Sequence, residues 1–199
     1  MTGETPHREM PGSVVLEDRP ASREQDRRKP ELAGYVRLMD FLDEAGRPYR
    51  TIDHAPEGQT ARASVLRGHA LAAAAKCMVV TVVGAAGPDG SAPAAPVHAV
   101  AVIPGDRRVD LAKVASACGG GRATLAERGT AERLAGSVSG TITPFSFHPQ
   151  LRLLADPALF DHEELYFNAA RLDRSLAIRA EDYRALAAPR VVEISEPPR

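Results

Sequence analysis

The pattern of apolar and polar positions predicts short strands and helices that alternate irregularly along the chain. Residues 32–45 carry apolar side chains at helical spacing, and Gly46 ends that helix. The β-branched run over residues 77–83 is apolar on both faces, which predicts a strand with little exposure. An apolar run over residues 97–103 predicts the strand that returns beside it.

Turn residues divide the rest of the chain into further short elements. Thr60 is predicted as the N-cap of a helix that Gly68 ends, and Asp110 as the N-cap of a helix over residues 111–117. Further helices are predicted at residues 126–135 and 181–187, and further strands at residues 49–53, 122–125, 151–154, 165–168, 175–178 and 190–194. Because hairpins recur between irregularly placed helices, the predicted fold class is mixed α/β: a single α+β domain with a mixed sheet, not a regular doubly wound sheet.

The chain is predicted to have two parts, a disordered tail over residues 1–30 and one folded domain over residues 31–199. The tail contains four prolines, mixed charges and almost no aromatic or β-branched residues. Its basic run Arg27-Arg28-Lys29 is interpreted as solvated tail, with an RNA anchor as the alternative. Residues 84–96, rich in glycine, alanine and proline, are predicted to form a flexible hairpin loop.

Composition narrows the classes of function. The 199 residues are 44% hydrophobic and 26% charged, as in an ordinary globular protein. A net charge of −1 argues against broad binding to DNA or RNA, although it permits recognition of one RNA end by a local patch. The chain shows no membrane-spanning stretch, no secretory signal and no disulfide framework, so a cytoplasmic location without a membrane partner is expected.

Lys76 is the first candidate for a functional residue. The chain has only three lysines, and this one interrupts an apolar run at the beginning of the predicted buried strand. An ammonium in such a place is costly unless it is paired or meets an anion. The alternative is a lysine at a strand end whose head reaches water.

A second candidate is the loop over residues 136–147, which is rich in glycine and hydroxyl groups. Such a loop presents backbone N–H groups to which a carbonyl oxygen or an oxyanion can bind. The alternative is an ordinary connection built from glycine and proline. Neither the histidine spacing nor the setting of Cys77 supports a metal or a thiol nucleophile, so no metal and no cofactor are expected.

Short motifs follow one another in a specific order over residues 32–194. They are His54…Thr60, Arg67-Gly68, Ala75-Lys76, Ile103-Pro104-Gly105-Asp106, Gly140-x-x-x-Pro144-Phe145 and Asp156-Pro157-x-Leu159. In this order they resemble the YbaK/prolyl-tRNA-synthetase-associated family, whose members are free-standing aminoacyl-tRNA deacylases related to the editing insert of bacterial prolyl-tRNA synthetases. Residues 67–76, 144–148, 167–175 and 182–183 are most similar to the YeaK-like branch. Ser146 and Ala170 stand where many relatives carry glycine.

The resemblance implies a trans-editing hydrolase that cleaves the ester between a wrong amino acid and the 3′ adenosine of a tRNA. The YeaK-like similarity favours serine, threonine or alanine as that amino acid. The implied partner is the acceptor end of a mischarged tRNA, with an aminoacyl-tRNA synthetase or an elongation factor as the candidate protein partner. A non-catalytic module that binds an aminoacyl or nucleotide ligand is the alternative function, and turnover of the ester separates the two.

The resemblance also assigns roles to residues. Lys76 is expected to anchor the substrate end and Gly140 to donate a backbone hydrogen bond, so these two residues form the expected catalytic group. The expected substrate-binding residues are His54, Thr60, Thr141, Pro144, Asn168 and Asp173. His54 could instead be an ordinary histidine at a strand end. For Asn168 and Asp173, stabilisation of the loop is favoured over contact with the substrate amine.

Overall fold

Two neighbouring antiparallel strands form the centre of the fold. The computed structural model describes residues 25–84 and 95–197. Strand β2 (Ala75–Val83) pairs with β3 (Val97–Pro104), with Ala75 opposite Pro104. Because both strands are apolar over most of their length, they bury both of their faces, as the sequence predicts.

The other elements surround this pair. The helices of the described residues are α1 (Ala33–Ala45), α2 (Thr60–Arg67), α3 (Leu111–Ala117), α4 (Arg128–Ala135) and α5 (Ala180–Ala187). The remaining strands are β1 (Tyr49–Asp53), β4 (Arg108–Val109), β5 (Arg122–Leu125), β6 (Leu151–Ala155), β7 (Glu164–Asn168), β8 (Arg174–Arg179), β9 (Arg190–Val191) and β10 (Ser195–Glu196). Short 3₁₀ turns precede α1, β2 and β7, at Pro30–Leu32, Leu71–Ala73 and Pro157–Asp161.

Most strands belong to a larger or a smaller sheet, and β4 and β10 form a separate two-stranded pair. The larger one has the order β5-β2-β3-β6-β9, with β6 parallel to β3 and β9 parallel to β6, so it is mixed, as predicted. The smaller sheet has the order β1-β8-β7 and is antiparallel throughout. An isolated bridge between Ala74 and Tyr166 connects the two at the beginning of β2. The predicted mixed α/β fold class is therefore confirmed.

Alternation along β2 and β3 divides the core into two layers. Val79 and Val100 belong to the larger layer, between the two sheets and α1. Val80 and Ala99, each one position away, belong to the layer under α3. Because side chains two positions apart share a face of a strand, Lys76 belongs to the same face of β2 as Val80. Its neighbours Ala75 and Cys77 belong to the opposite face, with Val79.

Most of the predicted element ends are confirmed. Gly46 and Gly68 end their helices in the left-handed conformation, and the Asp110 carboxylate caps α3 by accepting from two backbone N–H groups. The prediction for Thr60 is wrong in one respect. Gln59 occupies the N-cap position of α2 without a side-chain hydrogen bond, and Thr60 is the first helical residue, which releases its hydroxyl for another contact.

The predicted last strand over residues 190–194 is also corrected. The chain pairs with β6 only over β9, then turns away and pairs with β4 through β10. The reason is a buried carboxylate: Asp156 accepts hydrogen bonds from the Ile194 N–H at 3.0 Å and the Ser195 hydroxyl at 2.7 Å. These bonds hold the end of the chain across the sheet edge.

Two predicted segments lie largely outside the described residues. Of the predicted tail, residues 1–24 are outside, whereas Asp26 and Arg27 form ion pairs with Arg171 at 3.5 Å and Asp40 at 2.6 Å. Of the predicted hairpin loop, residues 85–94 are outside. Among the helices of residues 25–84 and 95–197, none has both the length and the apolar character needed to span a membrane.

Asp156→Ala is expected to lower the free energy of unfolding by about 3 kcal/mol, because the substitution removes a fully buried acceptor and leaves the Ile194 N–H without its partner. Urea unfolding of both proteins measures the difference. Asp161→Ala is the matched control, since Asp161 is exposed in the 3₁₀ turn that follows Asp156. A loss below about 1 kcal/mol for Asp156→Ala would contradict this role of the carboxylate.

Candidate active site

A small cavity of about 80 Å³ lies where α2, the beginning of β2, the end of β7 and the loop around Gly140 meet. It has room for a few water-sized groups. Its walls combine apolar and polar side chains with glycine backbone. The lining residues are Gly58, Thr60, Ala63, Arg67, Ala75, Lys76, Cys77, Gly140, Ile142, Tyr166, Phe167 and Asn168.

The Gly140 loop contributes backbone to the cavity wall. Gly140 has a φ of +90°, and a Cβ there would lie 3.1 Å from the Gly58 Cα, so any other residue would be strained at this position. Within the described residues, the N–H groups of Gly140 and Ile142 have no acceptor, whereas the N–H of Thr141 between them binds the Val138 carbonyl. Gly140 and Ile142 both line the cavity, so its wall carries two backbone N–H groups that no described residue uses.

A chain of hydrogen bonds holds this loop from behind. The Asn168 side-chain amide donates to the carbonyls of Gly140 at 3.0 Å and Glu57 at 2.9 Å, and its oxygen accepts from the Ser175 hydroxyl at 3.0 Å. His54 Nε2 lies 2.7 Å from the same hydroxyl. Asn168 and Ser175 are buried, so these bonds have little competition from water.

Arg67 brings a buried positive charge to the cavity. Its side chain leaves the last turn of α2 and is only 6% exposed. Nε donates to the Ala63 carbonyl at 3.0 Å, and Nη1 lies 3.4 Å from the Ser175 hydroxyl. Burial lowers the pKa of Arg67 to about 10, so the guanidinium remains charged at neutral pH.

Lys76 also lines the cavity, but its ammonium is bound by the protein. Nζ donates to the carbonyls of Gly105, at 3.0 Å, and Arg107, both in the turn between β3 and β4. Burial lowers the pKa of Lys76, an effect that Asp106 opposes and Arg108 strengthens. An ammonium has three N–H donors, so one remains for a ligand.

Tyr166 forms the wall near the bridge between the two sheets. Its ring stacks on His69 with 3.9 Å between the centroids, and its hydroxyl donates to Glu164 at 2.8 Å. Burial lowers the pKa of His69 to about 4, so this imidazole is neutral at neutral pH. Cys77 contributes an inert wall, because burial raises the pKa of its thiol. No cluster of metal-binding side chains occurs in the described ranges.

The structure brings four of the eight residues expected from the sequence together at the cavity: Thr60, Lys76, Gly140 and Asn168. His54 lies one hydrogen bond behind Asn168, through Ser175. The other three residues, Thr141, Pro144 and Asp173, are not among the lining residues. The Thr141 hydroxyl donates to Val138, and Asp173 pairs with Arg171 at 2.8 Å while its carbonyl accepts from the His54 N–H.

Three residues of this site had no role assigned from the sequence: Arg67 and Ser175, which lie within the stretches that resemble the family, and Tyr166. A signal for Arg67 exists, because helical spacing places it on the same face as Ala63, four positions earlier, which is buried. Ser175 and Tyr166 lie on adjacent strands of the smaller sheet, and no local pattern of residues places either of them at a cavity. Only the pairing of β7 with β8 brings Ser175 beside Asn168.

The amino-acid sequence of this chain is similar to those of known proteins. The model of the family described as aminoacyl-tRNA editing domain matches residues 54–186. The multifunctional Ser/Thr-tRNA deacylase ProXp-y of Escherichia coli strain K12 is 38% identical over 159 residues, which cover 79% of this chain and 90% of that protein. The protein of the same name from Escherichia coli O157:H7 matches to the same extent.

Solved structures share the fold. The crystal structure of hypothetical protein APE2540 has a TM-score of 0.68 at 21% identity and covers 80% of this chain and 99% of its own. A crystal structure assigned to a trans-editing enzyme for prolyl tRNA synthetase has a TM-score of 0.66 at 17% identity, with coverage of 83% and 98%. At these identities the likeness shows the fold alone.

Gly140→Ala is expected to lower the free energy of unfolding by about 1–3 kcal/mol, because alanine is strained at this φ and its Cβ would meet the Gly58 backbone. Urea unfolding measures the change. In the control Gly129→Ala, the new Cβ has no neighbour within 4 Å, so this variant should be neutral or slightly more stable. Equal stability of Gly140→Ala and wild type would show that the loop tolerates a side chain.

Proposed function

The chain belongs to the family of aminoacyl-tRNA editing domains, as its motifs indicated, and from this premise we propose how its cavity works. The protein is a trans-editing hydrolase that deacylates mischarged tRNA by cleaving the aminoacyl ester at the 3′ adenosine. The observation that carries the proposal is the small cavity, in which the free N–H groups of Gly140 and Ile142 meet a polar wall. A developing oxyanion needs such donors.

The site binds the aminoacyl group and stabilises the charge that develops on its carbonyl oxygen. Water adds to the carbonyl carbon, and the Gly140 loop donates to the oxygen that becomes negative. The ester carries a neighbouring 2′-hydroxyl on the ribose, so the substrate itself provides a polar group beside the leaving oxygen. Asn168 supports this step indirectly, because it binds the Gly140 carbonyl and so holds in place the loop that carries the Gly140 and Ile142 N–H groups.

The size and polarity of the cavity favour small hydroxyl-bearing amino acids. Its volume of about 80 Å³ leaves little room for a large side chain. The Thr60 hydroxyl lines the cavity and has no hydrogen-bond partner among the described residues, so it is available to a serine or threonine hydroxyl. The relative named Ser/Thr-tRNA deacylase supports the same substrate class.

The proposed partner is the acceptor end of a tRNA that has been charged with serine or threonine although its anticodon specifies another amino acid. The net charge of −1 fits a contact limited to the end of the RNA. An aminoacyl-tRNA synthetase or an elongation factor is the proposed protein partner, because both hold aminoacyl-tRNA before it is used. We place this activity in the cytoplasm, where these partners act.

A panel of tRNAs charged with serine, threonine, alanine and proline tests the proposal. Seryl- and threonyl-tRNA should be deacylated fastest. The variant Thr60→Val should lower the rate of deacylation of these two tRNAs by about 3- to 10-fold, because one hydrogen bond to the substrate hydroxyl is lost. The rate for alanyl-tRNA should change little. Val65→Thr is the matched control, because Val65 is 80% exposed on the same helix. Binding of all four tRNAs without turnover would overturn the enzymatic proposal.

Lys76→Met is expected to reduce deacylation by at least tenfold, because the remaining N–H donor of the ammonium is proposed to anchor the substrate end. Stability should fall by about 1–3 kcal/mol as the Gly105 and Arg107 carbonyls lose their donor. Rates are compared at a temperature at which both proteins are fully folded. Lys113→Met, on the surface of α3, is the control, and normal turnover by folded Lys76→Met would restrict Lys76 to holding the turn.

A further inference from the structure

Arg67 is a buried cation without an anionic partner. In the described part of the chain Arg67 forms no ion pair, although the residue is only 6% exposed to solvent. Arginine is almost never buried in this way without a counter-charge, because an uncompensated charge is costly in a protein interior. The cost is explained if an anion binds there during function.

The hydrogen bonds of Arg67 leave donors unused. A guanidinium has five N–H donors. Nε binds the Ala63 carbonyl and Nη1 the Ser175 hydroxyl, and both of these acceptors are neutral. Nη2 has no acceptor among the residues that the structure describes, and the side chain lines the cavity. The unused donors can therefore reach a group that enters the cavity.

We propose that Arg67 is a catalytic residue, whose guanidinium binds the carbonyl oxygen of the aminoacyl ester and stabilises the negative charge that develops on it. This inference rests on the proposed deacylase function. The ammonium of Lys76 already donates to two carbonyls of the turn between β3 and β4. Lys76 also belongs to the face of β2 that is directed to the core layer under α3. Arg67 thus supplies the less neutralised cation at the cavity wall.

The chemical step balances with water as the only co-reactant. Water adds to the carbonyl carbon, and the electron pair of the carbonyl double bond moves to the oxygen that Arg67 binds. The tetrahedral intermediate then collapses, and the bond to the 3′ oxygen of the ribose breaks. That oxygen receives one proton of the water, and the second proton leaves the new carboxyl group for solvent.

Ser175 is a positioning residue for the same step. Its fully buried hydroxyl accepts from Arg67 Nη1 and donates to Asn168, whose amide in turn holds the Gly140 carbonyl. The guanidinium and the Gly140 loop are therefore fixed relative to each other through one side chain. Loss of this hydroxyl should shift both groups that contact the ester.

The rival anion is a phosphate of the terminal nucleotide. A cavity of about 80 Å³ is small for a nucleotide but adequate for the aminoacyl group of a small amino acid, so the ester oxygen is the better fit. The two anions differ in an experimentally useful way. The ester is present in a seryl ester of adenosine, which has no phosphate, whereas the phosphate is present only in tRNA.

Arg67→Ala, Arg67→Lys and the control Arg62→Ala, an exposed arginine of the same helix, are compared on seryl-tRNA and on the 3′-seryl ester of adenosine. Arg67→Ala should lower kcat by about 10²- to 10³-fold on both substrates, with KM changed by less than about threefold. Arg67→Lys should also be slow, because an ammonium cannot make the two protein contacts and reach the ester. Added guanidinium chloride at millimolar concentration should restore at least tenfold of the activity of Arg67→Ala.

The outcomes separate this inference from the proposed function. A loss confined to seryl-tRNA, or to KM, would identify a phosphate contact and overturn the inference, as would normal kcat of folded Arg67→Ala. An inactive wild type on both substrates would overturn the proposed function itself. If Arg67→Ala does not fold, Arg67→Lys decides, and wild-type kcat of this variant on the adenosine ester refutes the guanidinium role.

The role of Ser175 is tested by a double-mutant cycle. Ser175→Ala should lower kcat by about tenfold in the wild type and by only about threefold in Arg67→Lys, because the part of its effect that passes through the guanidinium is then absent and only the part that passes through Asn168 and the Gly140 loop remains. Equal losses in both backgrounds would show that Ser175 acts independently of Arg67 and would overturn the positioning role.

Discussion

The side-chain amide of Asn168 is the interaction on which the candidate site depends. It lies at the end of β7 and binds the carbonyls of Glu57 and Gly140, which belong to two different loops, while Ser175 on β8 holds its oxygen. A buried amide is stable only when its donors and acceptor are satisfied. The same requirement therefore draws three chain segments together and forms the cavity between them.

The cavity combines satisfied and unsatisfied polar groups. The carbonyls of the Gly140 loop are bound from behind, whereas the N–H groups of Gly140 and Ile142 and part of the Arg67 guanidinium have no acceptor in the described residues. Such an arrangement reduces stability, because unpaired donors and a buried charge are costly. It is the arrangement expected of a site whose donors are needed when negative charge develops on a substrate.

Elsewhere in the fold, a buried carboxylate is fully hydrogen-bonded. Asp156, fully buried beside β6, accepts from three donors and so directs the chain end away from the sheet edge. At the turn after β7, Ala170 adopts a φ of 56°, the conformation that favours the glycine of many relatives. This turn leads to Asp173 and Arg174, so some local strain is tolerated beside the network that supports the cavity.

The sequence by itself determined the elements, the mixed α/β class and the family. Apolar periodicity, glycine ends and the Asp110 cap are local signals, and local signals are readable because the backbone obeys them over a few residues. Thr60, Lys76, Gly140 and Asn168 could be selected for the same reason, from short motifs. The tertiary structure alone decided that Lys76 is bound to a turn, that the last strand divides at Asp156, and that Arg67 and Ser175 meet. These facts depend on contacts between segments far apart in the chain, and burial, which makes a charge costly or a donor available, is a property of the assembled fold.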